Sequence, residues 1–135
     1  MTAPPPRILI VEDNPQNLKL VSVIMRGEGY VVVGAQDAVE AQQRIEESPP
    51  DLILMDIGLP GMDGYTLTRE LRRRSDTTSI PIVAVTSFAM KGDEEKAREA
   101  GCAGYITKPI DRRELLRTVR ELLGPTPGTT AAPME

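Results

Sequence analysis

Short apolar runs alternate with segments of helical period from Ile8 to Leu123, and no other feature narrows the fold of this chain so far. The alternation is that of βα units building a parallel sheet. "ILIV" (8–11), "VVVGA" (31–35), "LILM" (52–55), "IVAV" (82–85) and "GYIT" (104–107) are read as the strands, all of them buried. Between them, Asn14 and Pro15 form an N-cap and first-turn pair for a helix reaching about Glu28. "AVEAQQRIEE" carries a second helix, broken by Pro49 and Pro50. A third is expected from about Tyr65 to Arg74, a fourth from about Gly92 to Ala100, and a fifth to Leu123 with Asp111 as its N-cap.

Five strands and five helices predict an α/β fold: a doubly wound five-stranded parallel sheet of order 2-1-3-4-5, in the flavodoxin-like three-layer α/β/α arrangement. Its ligand site lies beyond the carboxyl ends of strands 1 and 3, where the winding reverses. The 135 residues suffice for one such domain without a disulfide staple. We assign 7–123 to the domain, 1–6 to an N-terminal extension, and the Pro-, Thr- and Gly-rich 124–135 to a disordered tail.

Several function classes drop out. Histidine is absent, which removes imidazole as base, ligand or phosphate carrier. The single Cys102 cannot pair within the chain; it reads as a small buried apolar residue in a reducing compartment. The net charge of −4, with no Lys/Arg cluster among aromatic neighbours, argues against direct nucleic-acid binding. No stretch approaches the roughly 20 apolar residues of a membrane span, so no membrane insertion is expected and the cytoplasm is the expected location.

The strand exits carry the chemistry. Glu12 and Asp13 follow strand 1, Asp56 follows strand 3, Thr86 and Ser87 follow strand 4, and Lys108 with Pro109 follows strand 5. Each has an ordinary reading alone: a helix cap, a β-forming residue, a solvated charge. Together they put three carboxylates, a hydroxyl and an ammonium into one crevice. Carboxylates about 4–6 Å apart repel by several kcal/mol per pair at an effective dielectric near 20, so they need a cation. Oxygen donors without His or thiolate favour a hard ion, Mg²⁺ or its substitute Mn²⁺, which also accepts phosphate oxygens. Asp56 is delivered by an apolar strand, and Pro60, Gly61 and Gly64 let the backbone turn away behind it.

"VEDN" (11–14), "DLILMDIGLPGMDG" (51–64), "PIVAVTS" (81–87) and "GYITKPI" (104–110) together resemble the response-regulator receiver domains of two-component signalling, over residues 7–123. The resemblance implies that Asp56 accepts a phosphoryl group from a sensor histidine kinase or a histidine phosphotransfer protein. It implies that Asp13, Asp56 and the backbone carbonyl of Gly58 bind Mg²⁺ with Glu12 assisting, Glu12 standing where Asp is also common. Lys108 and Thr86 then contact the acyl phosphate, and Lys108–Pro109 corresponds to a cis peptide. Thr86 and Tyr105, at the matching level of strand 5, form the switch that alters the surface of helix 4, strand 5 and helix 5 for a downstream protein effector.

A Mg²⁺-dependent aspartyl-phosphate hydrolase is the enzymatic rival, but "VEDNP" lacks its D-x-D motif after strand 1. In an FMN module, Glu12 and Asp13 would repel the cofactor phosphate. A degenerate receiver acting only as a docking module is disfavoured because every key position is filled. With no output domain expected, relay carrier and diffusible effector both remain open. On helix 1, Val21, Ile24 and Met25 are expected on the core face, with Leu20 and Val23 beside the crevice as a docking stripe. Arg112, Arg113, Arg117 and Arg120 give helix 5 a basic outer face.

Overall fold

The computed structural model describes residues 4–87 and 91–125. Five parallel strands form one sheet in the order β2-β1-β3-β4-β5. They are β1 (Arg7–Val11), β2 (Val31–Ala35), β3 (Leu52–Asp56), β4 (Ile82–Thr86) and β5 (Gly104–Thr107). The helices are α1 (Pro15–Gly27), α2 (Ala38–Glu47), α3 (Gly64–Arg73), α4 (Asp93–Ala100) and α5 (Arg112–Leu123). This is the expected doubly wound fold. Residues 1–3 of the extension and 126–135 of the tail lie outside the described residues.

The strands alternate their side chains between two cores, as a pleated sheet must. Leu9, Val11, Ile53, Met55, Ile82 and Ala84 pack with α2, α3 and Ala97 of α4. Ile8, Ile10, Leu52, Leu54, Val83 and Val85 pack on the other face with Val21 and Met25 of α1 and Leu115, Leu116 and Val119 of α5. The central β3 and β4 are buried at every position. The expectation that all five strands are buried fails at the edges: β2 exposes Val31, and three of the four residues of β5 are half-buried. Each edge strand has a sheet neighbour on one side only.

Local signals start the helices. The side chain of Asn14 accepts from the Gln16 and Asn17 amides, that of Asp37 from Glu40, that of Asp63 from Thr66, and that of Asp111 from Arg113 and Glu114. Such caps satisfy amides that the first helical turn leaves without partners. α4 is the exception, with Gly92 at its N-cap and no side-chain cap bond. On α1 the core face consists of Val21, Ser22 and Met25, while Ile24 is only half-buried. Ile24 packs against that core from the edge of the stripe, and Ser22 joins it.

Candidate functional site at the strand exits

Asp56 and Thr86 are the last residues of their strands, one position further into the sheet than their expected places beyond it. In the β3–β4 ladder Asp56 is paired with Val85, so its backbone is fixed from the neighbouring strand. The residue is 7% exposed, and its Oδ1 accepts the Gly58 amide at 3.0 Å. Behind it the chain folds back sharply. The Gly64 amide donates to the Ile57 carbonyl at 3.0 Å, and a Cβ on Gly64 would stand 2.6 Å from the Asp56 carbonyl oxygen. Only glycine allows α3 to begin there. Gly61 takes a φ of +79°, which gives the turn its direction.

Glu12 leaves β1 with its amide bound to the Ala35 carbonyl at 2.9 Å. Its carboxylate is buried and shared: Oε1 accepts from Lys108 Nζ at 2.8 Å, and Oε2 accepts from the Asn14 amide at 3.1 Å. Asp13 beside it is exposed. Carboxylate oxygens of Glu12, Asp13 and Asp56 all lie within 4.8 Å of one another. An all-oxygen donor set of this size fits a hard divalent cation, and the crowding of charge favours one.

Lys108 reaches the same crevice from the exit of β5, and its peptide bond to Pro109 is cis. Its ammonium contacts Asp56 Oδ2 at 3.5 Å, a longer approach than the one to Glu12. Burial lowers the pKa of Lys108, but the hydrogen bond to Glu12 and the Asp56 charge outweigh it and leave the ammonium above its ordinary value. Burial raises the pKa of Glu12, against the Lys108 hydrogen bond that lowers it. Thr86 is 1% exposed, and its carbonyl accepts the Lys108 amide at 2.8 Å.

The structure thus brings Glu12, Asp13, Asp56 and Lys108 into one cluster, with Thr86 and Gly58 adjoining it. Gly58 meets Asp56 through its amide. Tyr105 stands apart. The β4–β5 register sets Thr107 opposite Thr86 and Tyr105 opposite Ala84, so Tyr105 lies one pleat repeat below its expected level. Its hydroxyl donates to Asp93 Oδ2 at 2.6 Å, and Tyr65 donates to the other oxygen of the same carboxylate at 2.8 Å. Sequence reasoning missed Asp93 and Tyr65, because neither sits at a strand exit or in a periodic pattern.

Leu20 and Val23 are both exposed, at 53% and 58%. Leu20 lines a groove of about 400 Å³ that runs past Ser87 to Lys108, Pro109 and Ile110. Val23 is not part of that lining. On α5, Arg112 pairs with Glu28 at 2.9 Å across an exposed surface, while Arg113, Arg117 and Arg120 face solvent.

Residues 8–120 match the response regulator receiver domain family. The polar-differentiation response regulator DivK of Brucella anthropi is 42% identical over 120 residues, covering 89% of this chain and 98% of that protein. Its Brucella ovis counterpart is 43% identical over 117 residues, 87% of this chain and 95% of that one. Among solved structures, the receiver domain of a Pseudomonas aeruginosa sensor histidine kinase, which has a magnesium ion coordinated in its active-site cleft, is 39% identical with a TM-score of 0.81, covering 89% of this chain and 98% of that one. A CheY-like receiver domain protein from Methanospirillum hungatei is 34% identical with a TM-score of 0.79, over 86% and 91% of the two chains. No helix among the described residues is long and apolar enough to cross a membrane.

Proposed function

The chain belongs to the response regulator receiver domain family, and we propose that Asp56 is its phosphoryl acceptor, in a reaction that needs Mg²⁺ held by Asp13, Asp56 and the Gly58 carbonyl. The observation that carries this reading is the cluster itself: a nearly buried Asp56 whose oxygens lie within 4.8 Å of those of Glu12 and Asp13, with an ammonium on the other side.

Among the described residues Asp56 Oδ2 has no backbone donor, whereas the Gly58 amide occupies Oδ1. It is the nucleophile: an Oδ2–phosphorus bond forms as the bond from phosphorus to the donor breaks. Bound Mg²⁺ supplies neutralisation of the charge carried by the transferring group. Asp13, exposed and open, is the better placed ligand; Glu12 has both oxygens engaged by Lys108 and Asn14, so it assists through charge. Lys108, 3.5 Å from Oδ2, becomes the contact of the acyl phosphate as a point charge, and Thr86 supplies a hydroxyl at the neighbouring strand end. Mn²⁺ suits the same donors. The chain promotes its own phosphorylation and dephosphorylation only.

The phosphodonor is a histidine kinase or a histidine phosphotransfer protein, docked along the groove at Leu20 that opens beside Lys108. Output goes to a protein effector. Incubation with a small phosphodonor and Mg²⁺ should add one phosphoryl group by intact mass; an Asp56→Asn variant that gains the label at the wild-type rate defeats the assignment.

A further inference from the structure

We propose that Asp93 latches the start of α4 to α3 and β5 through the hydroxyls of Tyr65 and Tyr105, and that this latch holds α4 in its unphosphorylated place. The proposal rests on the reading of Asp56 as phosphoacceptor and adds to it the contact that must give way when α4 responds.

α4 has little else to hold it. Its buried side chains are Ala97 and Ala100 alone, each offering a single methyl group to the core. Gly92 supplies no cap bond, and the Arg98–Glu94 pair at 3.7 Å is exposed on both sides, where ion pairs contribute little. Polar ties do the holding. At the far end, Arg72 of α3 donates Nε to the Gly101 carbonyl at 2.9 Å and Nη1 to the Thr78 carbonyl at 3.0 Å. At the near end, each oxygen of the Asp93 carboxylate accepts one phenol, at 2.8 Å from Tyr65 and 2.6 Å from Tyr105. Tyr65 also reaches the Asp93 backbone carbonyl at 3.2 Å. Hydrogen bonds to an ionised acceptor are shorter and stronger than neutral ones. A carboxylate in the first turn of a helix commonly serves its amides; here it is turned to two residues of other elements.

The latch and the phosphorylation site share β5 and its exit: Tyr105 precedes Lys108 by three positions. Lys108 Nζ stands 3.5 Å from Asp56 Oδ2. If phosphorylation favours an open latch, thermodynamic reciprocity requires that opening the latch favour phosphorylation.

The test uses the full chain with Asp93→Asn, which keeps the shape of the carboxylate and removes its charge, and the milder Tyr65→Phe, which removes one hydroxyl and leaves the ring against the core. Without any phosphodonor, amide exchange of residues 93–100 should accelerate about ten-fold in Asp93→Asn and less in Tyr65→Phe, with β3 unchanged. With a small phosphodonor and Mg²⁺, the ratio of phosphorylated to unphosphorylated Asp56 at equilibrium with the donor should be about five-fold higher in Asp93→Asn. Unchanged exchange in both variants overturns the latch. Faster exchange with a wild-type equilibrium ratio also overturns it, since the contact would then be structural only. Absence of label in the wild type strikes at the Asp56 reading instead, and the exchange result still decides whether Asp93 holds α4.

Discussion

Lys108 Nζ donates to Glu12 Oε1 at 2.8 Å, tying the exit of β5 to the exit of β1 across 96 residues of sequence. The two side chains are 14% and 5% exposed, so this is a nearly buried ion pair. Removing one partner of such a pair leaves the other without compensation, at a cost of about 3–5 kcal/mol. The ammonium also stands beside the carboxylate oxygens proposed to hold a cation, and it would oppose that cation. Lys108→Ala should therefore lower stability in the absence of Mg²⁺ and bind Mg²⁺ about three- to ten-fold more tightly by calorimetric titration. Labelling of Asp56 should fall nonetheless, because the phosphoryl oxygens lose their point charge. Weaker Mg²⁺ binding in this variant would contradict the assignment of the carboxylate cluster.

The same crowding supports the proposed metal dependence. Mg²⁺ held at the folded site as proposed should raise the midpoint of thermal unfolding with concentration, adding about 2.7 kcal/mol at a hundred times its dissociation constant. Asp13 is exposed, and its truncation opens no core. Asp13→Ala should leave metal-free stability within about 0.5 kcal/mol of wild type, or raise it, while abolishing the Mg²⁺-dependent increase. Phosphorylation should fail both in this variant and under chelation. Full labelling in excess chelator would remove the metal from the scheme.

On the proposed reading, a change at Thr86 should separate chemistry from signalling. Thr86 closes β4 at 1% exposure, next to Val85, the ladder partner of Asp56. Thr86→Ala removes a hydroxyl and a methyl at a cost of about 1–2 kcal/mol and leaves Asp56 in place. Asp56 should still become phosphorylated, yet amide exchange across residues 88–108 should no longer respond to the phosphoryl group. A wild-type response in this variant would mean that the signal leaves Asp56 by another route.

What the sequence makes legible is what local chemistry decides. Asn14 and Asp111 announce helix starts because a cap bonds amides two or three residues away. Asp56, Lys108 and the acids after β1 are visible because parallel strands bring their exits to one edge, so the cluster follows once the strand order is known. Partner choice within the cluster is not visible: that Lys108 sits nearer Glu12 than Asp56 depends on tenths of an ångström. The Asp93 contacts span 28 residues to Tyr65 and 12 to Tyr105, and no period or motif signals them. Tyr105 itself was placed one pleat too high, because strand register is set by the packed sheet, and "GYIT" alone does not contain it.

Tyrosine ionisation gives a test of the latch region that needs neither metal nor phosphate. The chain has three tyrosines and no tryptophan, so tyrosinate absorbance near 295 nm reports on Tyr30, Tyr65 and Tyr105 alone. Burial raises the pKa of Tyr30, whose hydroxyl has no hydrogen-bond partner among the described residues. Burial raises Tyr65 further, aided by its hydrogen bond to Asp93, and burial with the same carboxylate pushes Tyr105 up to about 12. The folded protein should therefore show no tyrosine ionising at the ordinary value of about 10, whereas the chain in denaturant should show all three there. The sign for stability follows. Each phenol has a higher pKa folded than unfolded, so its contribution is fully present below pH 10 and is lost as pH rises through the folded values. Asp93→Asn removes the charge that adds to burial in holding two of the three protons, and should move the Tyr65 and Tyr105 titrations part of the way back toward pH 10 while Tyr30 stays where burial puts it. A wild-type titration curve for Asp93→Asn would show that the carboxylate does not govern these hydroxyls in solution.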